Sequence, residues 1–346
     1  MKQDKWIRWA AVTGLVMVVT TGCSLLDTKE QSQPIDQPPS GIEAKTTSVQ
    51  PSAEIANPMQ LTVYAKDERG FVAPISLQVE KTEGTAKKAL EYMVEGGPSE
   101  GRLPAGFSAL LPKGTEVKGI NIIKDQKLAV VDFSKAFNDY NLQDERKILE
   151  AVTWTVTGFP TVDKVQIRVE GTAIKEMPVG GTPLDEPLSR TMGINIEKPD
   201  GVEYGQTTPV TLYFLSQNQE EYPYYVPVTR LIKRTDQISE AVVQQLIAGP
   251  DQSKGLEAVL NAGSELLGVS QSSDVITVNF SDKVLGPDAK APAEALKAVV
   301  LSITENAGAG TKVQILVNGD AKVNGTDNQS YAKPVSRPST VNPNKL

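Results

Sequence analysis

The chain has 346 residues, with 35 Lys and Arg against 42 Asp and Glu, one Cys and no His. Without imidazole there is no Ser-His-Asp or Cys-His nucleophile system, and zinc, copper and non-haem iron sites lose their favoured ligand, which leaves carboxylate, Lys, Tyr or lone-Ser chemistry. A formal charge of −7 argues against a nucleic-acid footprint, which needs clustered Lys and Arg, and the length suits about two domains.

Residues 1–22 read as an export signal: Lys2, Lys5 and Arg8 precede an apolar run from Trp9 to Val19, which closes on the small residues Thr20, Thr21 and Gly22. The run falls short of the roughly 20 residues that span a bilayer. Cys23 stands where a bacterial lipoprotein signal places its acylated residue, although Thr20 replaces the usual Leu. The expected lipidation site is therefore Cys23, and two acyl chains would hold the protein stably on a membrane. The alternative is a plain secretory signal, or an uncleaved anchor, with an incidental cysteine. Cleavage would leave 32 basic and 41 acidic side chains, a formal −9, with no free thiol or disulfide, so stability must come from the hydrophobic cores. The rest of 23–58 is rich in Ser, Gln, Thr and Pro and reads as a disordered tether spanning roughly 30 Å.

Beyond the tether the sequence repeats itself. Leu110–Gly119 (LLPKGTEVKG) matches Val259–Gly268 (VLNAGSELLG) at an offset of 149. Leu149–Thr157 (LEAVTWTVT) matches Leu296–Thr304 (LKAVVLSIT) at 147, and Lys164–Gly171 (KVQIRVEG) matches Lys312–Gly319 (KVQILVNG) at 148. Even the segments that would otherwise pass as linker and tail agree: EPLSRTMGIN from Glu186 and KPVSRPSTVN from Lys333 share Pro, Ser, Arg and Asn. The C-terminal stretch is thus expected to be a docked arm. The expected organisation is a first copy over 59–196, a linker over 197–208, a second copy over 209–343 and a tail over 344–346.

Each copy spells the same succession of elements. Leu61, Val63 and Ala65, then Val72, Ile75, Leu77 and Val79, predict two strands, matched by Leu212, Phe214, Val226, Val228 and Leu231. A helix follows, with Ala86, Ala89, Leu90, Met93 and Val94 on one face and Gly96-Gly97-Pro98 as its stop; Ile238, Ala241, Val242, Gln245 and Leu246 before Gly249-Pro250 are the counterpart. Strands at Val117–Ile123 and Lys127–Phe133 turn at Asp125-Gln126. A second helix buries Leu149, Val152, Trp154 and Val156, and in the second copy Leu296, Val299, Val300 and Ile303 after Pro292. The last strand, Lys164–Val169, alternates apolar residues with Lys, Gln and Arg, so one sheet face is wet. The fold class is α+β: two tandem copies of a small α/β sandwich ordered β-β-α-β-β-α-β, with helices on one face of an antiparallel or mixed sheet.

Paired carboxylates are the best enzymatic option left, and Asp132 with Asp139 is the pair to consider, since a glycosidase needs two carboxyl groups roughly 5 to 10 Å apart. Asn279 replaces Asp132 in the second copy, so the preferred reading is a solvated or turn-capping side chain. The glycine motifs end helices or precede strands, and no phosphate-loop pattern occurs. Scattered carboxylates offer no metal pattern, and no cofactor is called for. Tyr222, Tyr224 and Tyr225, placed between the first two strands of the second copy, form the one aromatic cluster. It would serve either a sugar or peptide contact or the covering of a hairpin edge.

These LPKGT-, DFS- and KVQI-type segments behind a lipoprotein signal resemble the sporulation and germination family built from two tandem GerMN domains, over residues 59–343. The shared motifs are hydrophobic and turn residues, which identify a fold more than an active site. The resemblance implies a topology similar to the ring-building motifs of secretion systems and a non-enzymatic scaffold acting in endospore formation and germination. It further implies protein partners in the SpoIIIA and SpoIIQ transenvelope complex, and self-association. The expected location is the outer face of the cytoplasmic membrane, between mother-cell and forespore membranes in a sporulating cell. GerMN domains also accompany cell-wall enzymes and other lipoproteins in bacteria that do not sporulate. The rival readings are a peptidoglycan hydrolase working through Asp132 and a wall lipoprotein binding a ligand through its tyrosines.

Overall fold

A computed structural model describes residues 57–197, 205–261, 263–308 and 310–344. The signal, Cys23 and the tether up to residue 56 lie outside the described residues, as do 198–204 of the expected linker and the last two residues of the tail. Copy one opens with a hairpin of β1 (Pro58–Lys66) and β2 (Val72–Glu80), in register from Pro58↔Glu80 to Lys66↔Val72. Helix α1 (Thr85–Glu91) follows, then β3 (Val117–Ile123), β4 (Leu128–Phe133), α2 (Glu145–Val156), β5 (Lys164–Val169) and the short β6 (Thr172–Ala173). These four strands make one mixed sheet, β3-β4-β5-β6, in which β4 and β5 are parallel and α2 is the crossover between them.

Copy two repeats the scheme. Its hairpin is β7 (Thr207–Gln217) with β8 (Pro223–Lys233), its helices are α3 (Ile238–Ala248) and α4 (Ala293–Ala307), and its sheet joins β9 (Leu266–Ser272), β10 (Val275–Phe280), β11 (Lys312–Val317) and β12 (Val335–Ser336). Even the irregularity is duplicated: the β3–β4 and β9–β10 ladders each carry a register shift near Gly119 and Gly268. A bulge bends the strand and strengthens its twist, so the repeated Gly marks a shared bend. The architecture is two tandem small α/β sandwiches, as the repeat requires.

The cores follow from the apolar faces. Trp154, Leu149, Val152 and Val156 of α2 are fully buried with Phe133 and Phe137, whose rings stack 4.5 Å apart. The α4 residues Leu296, Val299, Val300 and Ile303 do the same for copy two. In β5 the expected alternation holds, with Val165, Ile167 and Val169 buried and Lys164, Gln166 and Arg168 turned outward. A Leu or Ile in such a core contributes about 2 kcal/mol through its buried area.

Three expectations need correction. Val72–Leu77 of β2 is buried at every position, and so is Tyr224–Arg230 of β8. One face of each hairpin packs on its own helix, and the second face and edge are covered by the other copy. Helix α1 ends at Glu91, short of Val94, because Met93 and Val94 leave it to pair with the segment at Leu111: Leu111 N donates to Met93 O and Glu95 N to Leu111 O. Tyr224 and Tyr225 lie within β8 itself, so only Tyr222 occupies the connection between the first two strands of copy two.

Candidate functional site

The most elaborate polar arrangement is the seam between the copies, and the sequence elements that build it are the two arms. The arm of copy one, ending at Glu197, crosses to β8 of copy two: Thr229 N donates to Ile194 O at 2.8 Å, and Glu197 N to Thr229 O at 2.9 Å. The arm of copy two crosses in the opposite sense to β2, with Ser76 N donating to Asn342 O at 3.1 Å and Asn344 N to Ser76 O at 3.0 Å. The arms are exchanged reciprocally, and the described residues of both copies fall in one compact unit. Glu197, counted by the sequence as linker, is therefore held in the arm, where its carboxylate accepts from Arg230 Nε at 2.7 Å.

Two prolines and two asparagines explain how β2 and β8 meet without joining. Pro74 pairs with Tyr64 and Pro227 with Tyr213. The missing N–H of each proline prevents a continuous ladder between the hairpins. Asn342 spans the gap, donating to Pro74 O and Tyr225 O and accepting from Tyr225 N, all at 2.8 Å. Asn195 does the same from the other side, donating to Val72 O and Pro227 O and accepting from Val72 N. Asn195 and Asn342 adopt positive φ, 47° and 53° respectively, a conformation that Asn tolerates better than most residues. Each amide thus satisfies strand-edge groups that neither hairpin could satisfy alone.

At one end of the seam the shared Arg of the two arms converges on a single carboxylate. Arg190 Nη1 donates to Glu305 Oε1 at 2.6 Å and Arg337 Nη2 to Glu305 Oε2 at 2.8 Å, while the Tyr213 hydroxyl donates to Oε2 at 2.9 Å. Each guanidinium also holds the second helix of its own copy, Arg190 at Trp154 O in the last turn of α2, where cations are favoured, and Arg337 at Leu301 O and Thr304 Oγ1 along α4. Burial works to raise the Glu305 carboxyl, but the two guanidiniums hold it down to about 2. Tyr64, Arg190, Glu305 and Arg337 border a cleft of about 380 Å³ here. The other end closes on Asp67, whose carboxylate accepts from the Tyr224 hydroxyl at 2.7 Å, and burial raises its carboxyl. Arg69 reaches from copy one to Ser216 Oγ and Gly255 O of copy two.

The residues singled out in the sequence fall into two groups. Asp132 accepts from Gly171 N at 2.8 Å, and Asn279 accepts from Gly319 N at 2.9 Å in the same place of copy two. Both therefore cap the turn after the last parallel strand, the turn-capping role expected of Asp132. Asp139 is exposed at the end of the 3-10 turn Lys135–Asn138. Tyr222, Tyr224 and Tyr225 are brought together with the seam: Tyr224 meets Phe107 of copy one edge-on at 4.8 Å, Tyr222 donates to Pro343 O and Tyr225 to Glu294 O. Burial pushes the Tyr222 hydroxyl up to about 12. No group of three or more His, Cys, Asp or Glu fit for a metal ion occurs among the described residues, and no described helix is long and apolar enough to cross a membrane. Sequence reasoning missed Glu305 because Gly158 stands opposite it in copy one, whereas the SR and N shared by the arms were visible signals for Arg190, Arg337, Asn195 and Asn342.

Comparison with known proteins gives this seam a context. The Germane model, described as sporulation and spore germination, matches residues 62–175 and 211–323. Spore germination protein GerM of Bacillus subtilis strain 168 is 35% identical over 349 residues, covering 94% of each chain. A solved structure of the tandem GerMN domains of the sporulation protein GerM from Bacillus subtilis aligns with a TM-score of 0.77 at 38% identity, covering 83% of this chain and all of that one. With the duplicated fold, the family match on both copies and a relative matched nearly end to end, the chain belongs to the Germane family, as a GerM-like sporulation and germination protein with tandem GerMN domains.

Proposed function

We propose that the chain is a non-enzymatic scaffold of the sporulation envelope, exported and held on the outer face of the cytoplasmic membrane by acyl chains on Cys23. In a sporulating cell it would face the space between mother-cell and forespore membranes and help assemble the SpoIIIA and SpoIIQ complex through protein contacts, including self-association. The observation that carries this reading is the exchange of arms, which fixes two copies as one body; β3 and β9 each lie at one end of a mixed sheet, opposite the short β6 and β12. A terminal strand offers unpaired backbone groups to a partner strand. The commitment of Asp132 to its turn favours this reading over a hydrolase.

Two experiments test it. Cys23→Ser moves the protein from the membrane fraction to the soluble exported fraction; retention on the membrane refutes the acyl anchor. In sporulating cells lacking SpoIIQ the protein loses its localised distribution, and an unchanged distribution refutes the partnership.

A further inference from the structure

Two clefts flank the seam at equivalent places in the two copies. One, of about 640 Å³, is bordered by Arg69, Arg146, Lys147 and Lys254, with Glu150 as the single carboxylate among its lining residues. The other, of about 270 Å³, is bordered by Tyr222, Glu294, Lys297 and Asp327. The repeat makes the comparison direct: Arg146 corresponds to Ala293, Lys147 to Glu294, Glu150 to Lys297 and Asn195 to Asn342. The hairpin turns set Arg69 in the place of Glu220: Asp67 accepts from Arg69 N and Phe71 N as Asn218 accepts from Glu220 N and Tyr222 N. The same backbone thus carries Ala, Glu and Glu in copy two where copy one carries Arg, Lys and Arg. Packing therefore does not dictate these cations.

Their placement is also costly on its own terms. Four cations border the cleft against two carboxylates, Glu150 in the lining beside Arg146 and Asp144 behind it, 3.7 Å from Lys147, in a chain whose formal charge is −7. The guanidiniums are held in position and keep donors with no partner among the described residues. Arg69 spends Nη1 on Ser216 Oγ and Gly255 O, which leaves Nε and Nη2. Arg146 spends Nε on Glu150 and Nη2 on Met192 O, which leaves Nη1. The Lys147 ammonium lies over Gly70, where an added Cβ would come within 3.3 Å of it. Preorganised forks beside ammonium groups suit an anion with several oxygens and more than one negative charge, which describes a phosphate ester better than a lone carboxylate. A cleft of this size falls in the usual range for small ligands, about 300–1,000 Å³.

We propose that the copy-one cleft binds a phosphate-bearing ligand through Arg69, Arg146, Lys147 and Lys254. A soluble phosphate ester and a lipid headgroup supply the same chemistry. The site stands independently of the scaffold reading.

The full chain in an uncharged detergent, titrated calorimetrically, tests this. The probes are inorganic phosphate, glycerol 3-phosphate and a short-chain phosphatidic acid, with phosphatidylcholine of the same chain length as the partition control. The parent is compared with Arg146→Ala/Lys147→Glu, which installs the residue types copy two already tolerates, and with Lys233→Ala/Lys322→Glu, an equal change of charge at exposed positions away from the cleft. The expected result is salt-sensitive phosphate binding that weakens at least about tenfold in the cleft variant and less than about twofold in the control. Phosphatidic acid binding about as tightly as glycerol phosphate assigns the site to a soluble ester, and about tenfold tighter binding than both glycerol phosphate and phosphatidylcholine assigns it to a headgroup. No phosphate-dependent heat, an unaltered cleft variant with the parent's melting behaviour, or an equal loss in the control overturns the proposal.

Discussion

Replacing Glu305 with Gln removes one charge from the end of the seam and keeps an oxygen acceptor, so the loss reports the ion pairs. Glu305 is only 5% exposed and faces Arg190 and Arg337 at 2.6 and 2.8 Å. The gap between the ordinary carboxyl value of 4.5 and about 2 corresponds to about 3 kcal/mol of stability at neutral pH. Breaking a buried pair by deleting one partner costs about 3–5 kcal/mol, so the two routes agree. The sign is that of a depressed acid: the stabilisation is complete above 4.5 and is lost as pH falls through that value toward about 2.

Urea denaturation followed by far-ultraviolet circular dichroism, repeated across the acid range, measures both parts. At neutral pH Glu305→Gln is expected to be about 3 kcal/mol less stable than the parent, and the two curves converge on acidification. A loss below about 1 kcal/mol at neutral pH, or parallel curves through the acid range, refutes the reasoning. In that case the guanidiniums would draw their stability from the helix carbonyls and Glu305 would be incidental.

Asp132→Asn is expected to change stability by less than about 0.5 kcal/mol, because Asn279 already performs that role, whereas Asp132→Ala costs about 1 kcal/mol in the same denaturation assay. Asn342→Ala strands Pro74 O and both backbone groups of Tyr225 and is expected to cost about 3 kcal/mol, so a loss under about 1 kcal/mol contradicts the bridging role. Burial raises the Asp67 carboxyl from 3.8, so its folded form takes up a proton before its unfolded form does, and this group adds stability as pH falls through its folded value toward 3.8. Asp67→Asn removes that gain, and a pH profile identical to the parent's contradicts it.

The sequence carried the duplication, the fold class and the arms in plain view, because each depends on residues that recur at a fixed offset. The helix faces of α2 and α4 were readable for the same reason, since their apolar spacing meets a core built by the same copy. What escaped reading lies where one copy's environment is supplied by the other. Period two fails in β2 and β8 because both faces are buried, and Met93 and Val94 abandon a good helical pattern for a pairing with Leu111. Tyr224 reads as a surface aromatic only until Phe107 and Asp67 of copy one are set beside it. The Arg and Asn of the arms announced themselves by repetition, but their function required knowing that the arms cross.

Glu305 has no counterpart, and that asymmetry is what a tandem chain permits and a homodimer does not. Position 158 is Gly, where an added Cβ would lie 4.0 Å from Arg190 Nη2, so a carboxylate there would be a second acid beside the same guanidiniums. Two identical copies with Glu at that position would bury two carboxylates between two arginines; with Gly at both they would bury two arginines with none. Covalent linkage places one of each, which leaves a single carboxylate shared by two guanidiniums and a net positive charge open to the cleft. Residues 57–197 alone are therefore expected to sediment as a monomer, since exchanging arms with a second copy would bring two Arg190 side chains together without Glu305. A stable arm-exchanged dimer of that fragment would show that the arms and prolines suffice, and that the shared glutamate is not what fixes the pairing.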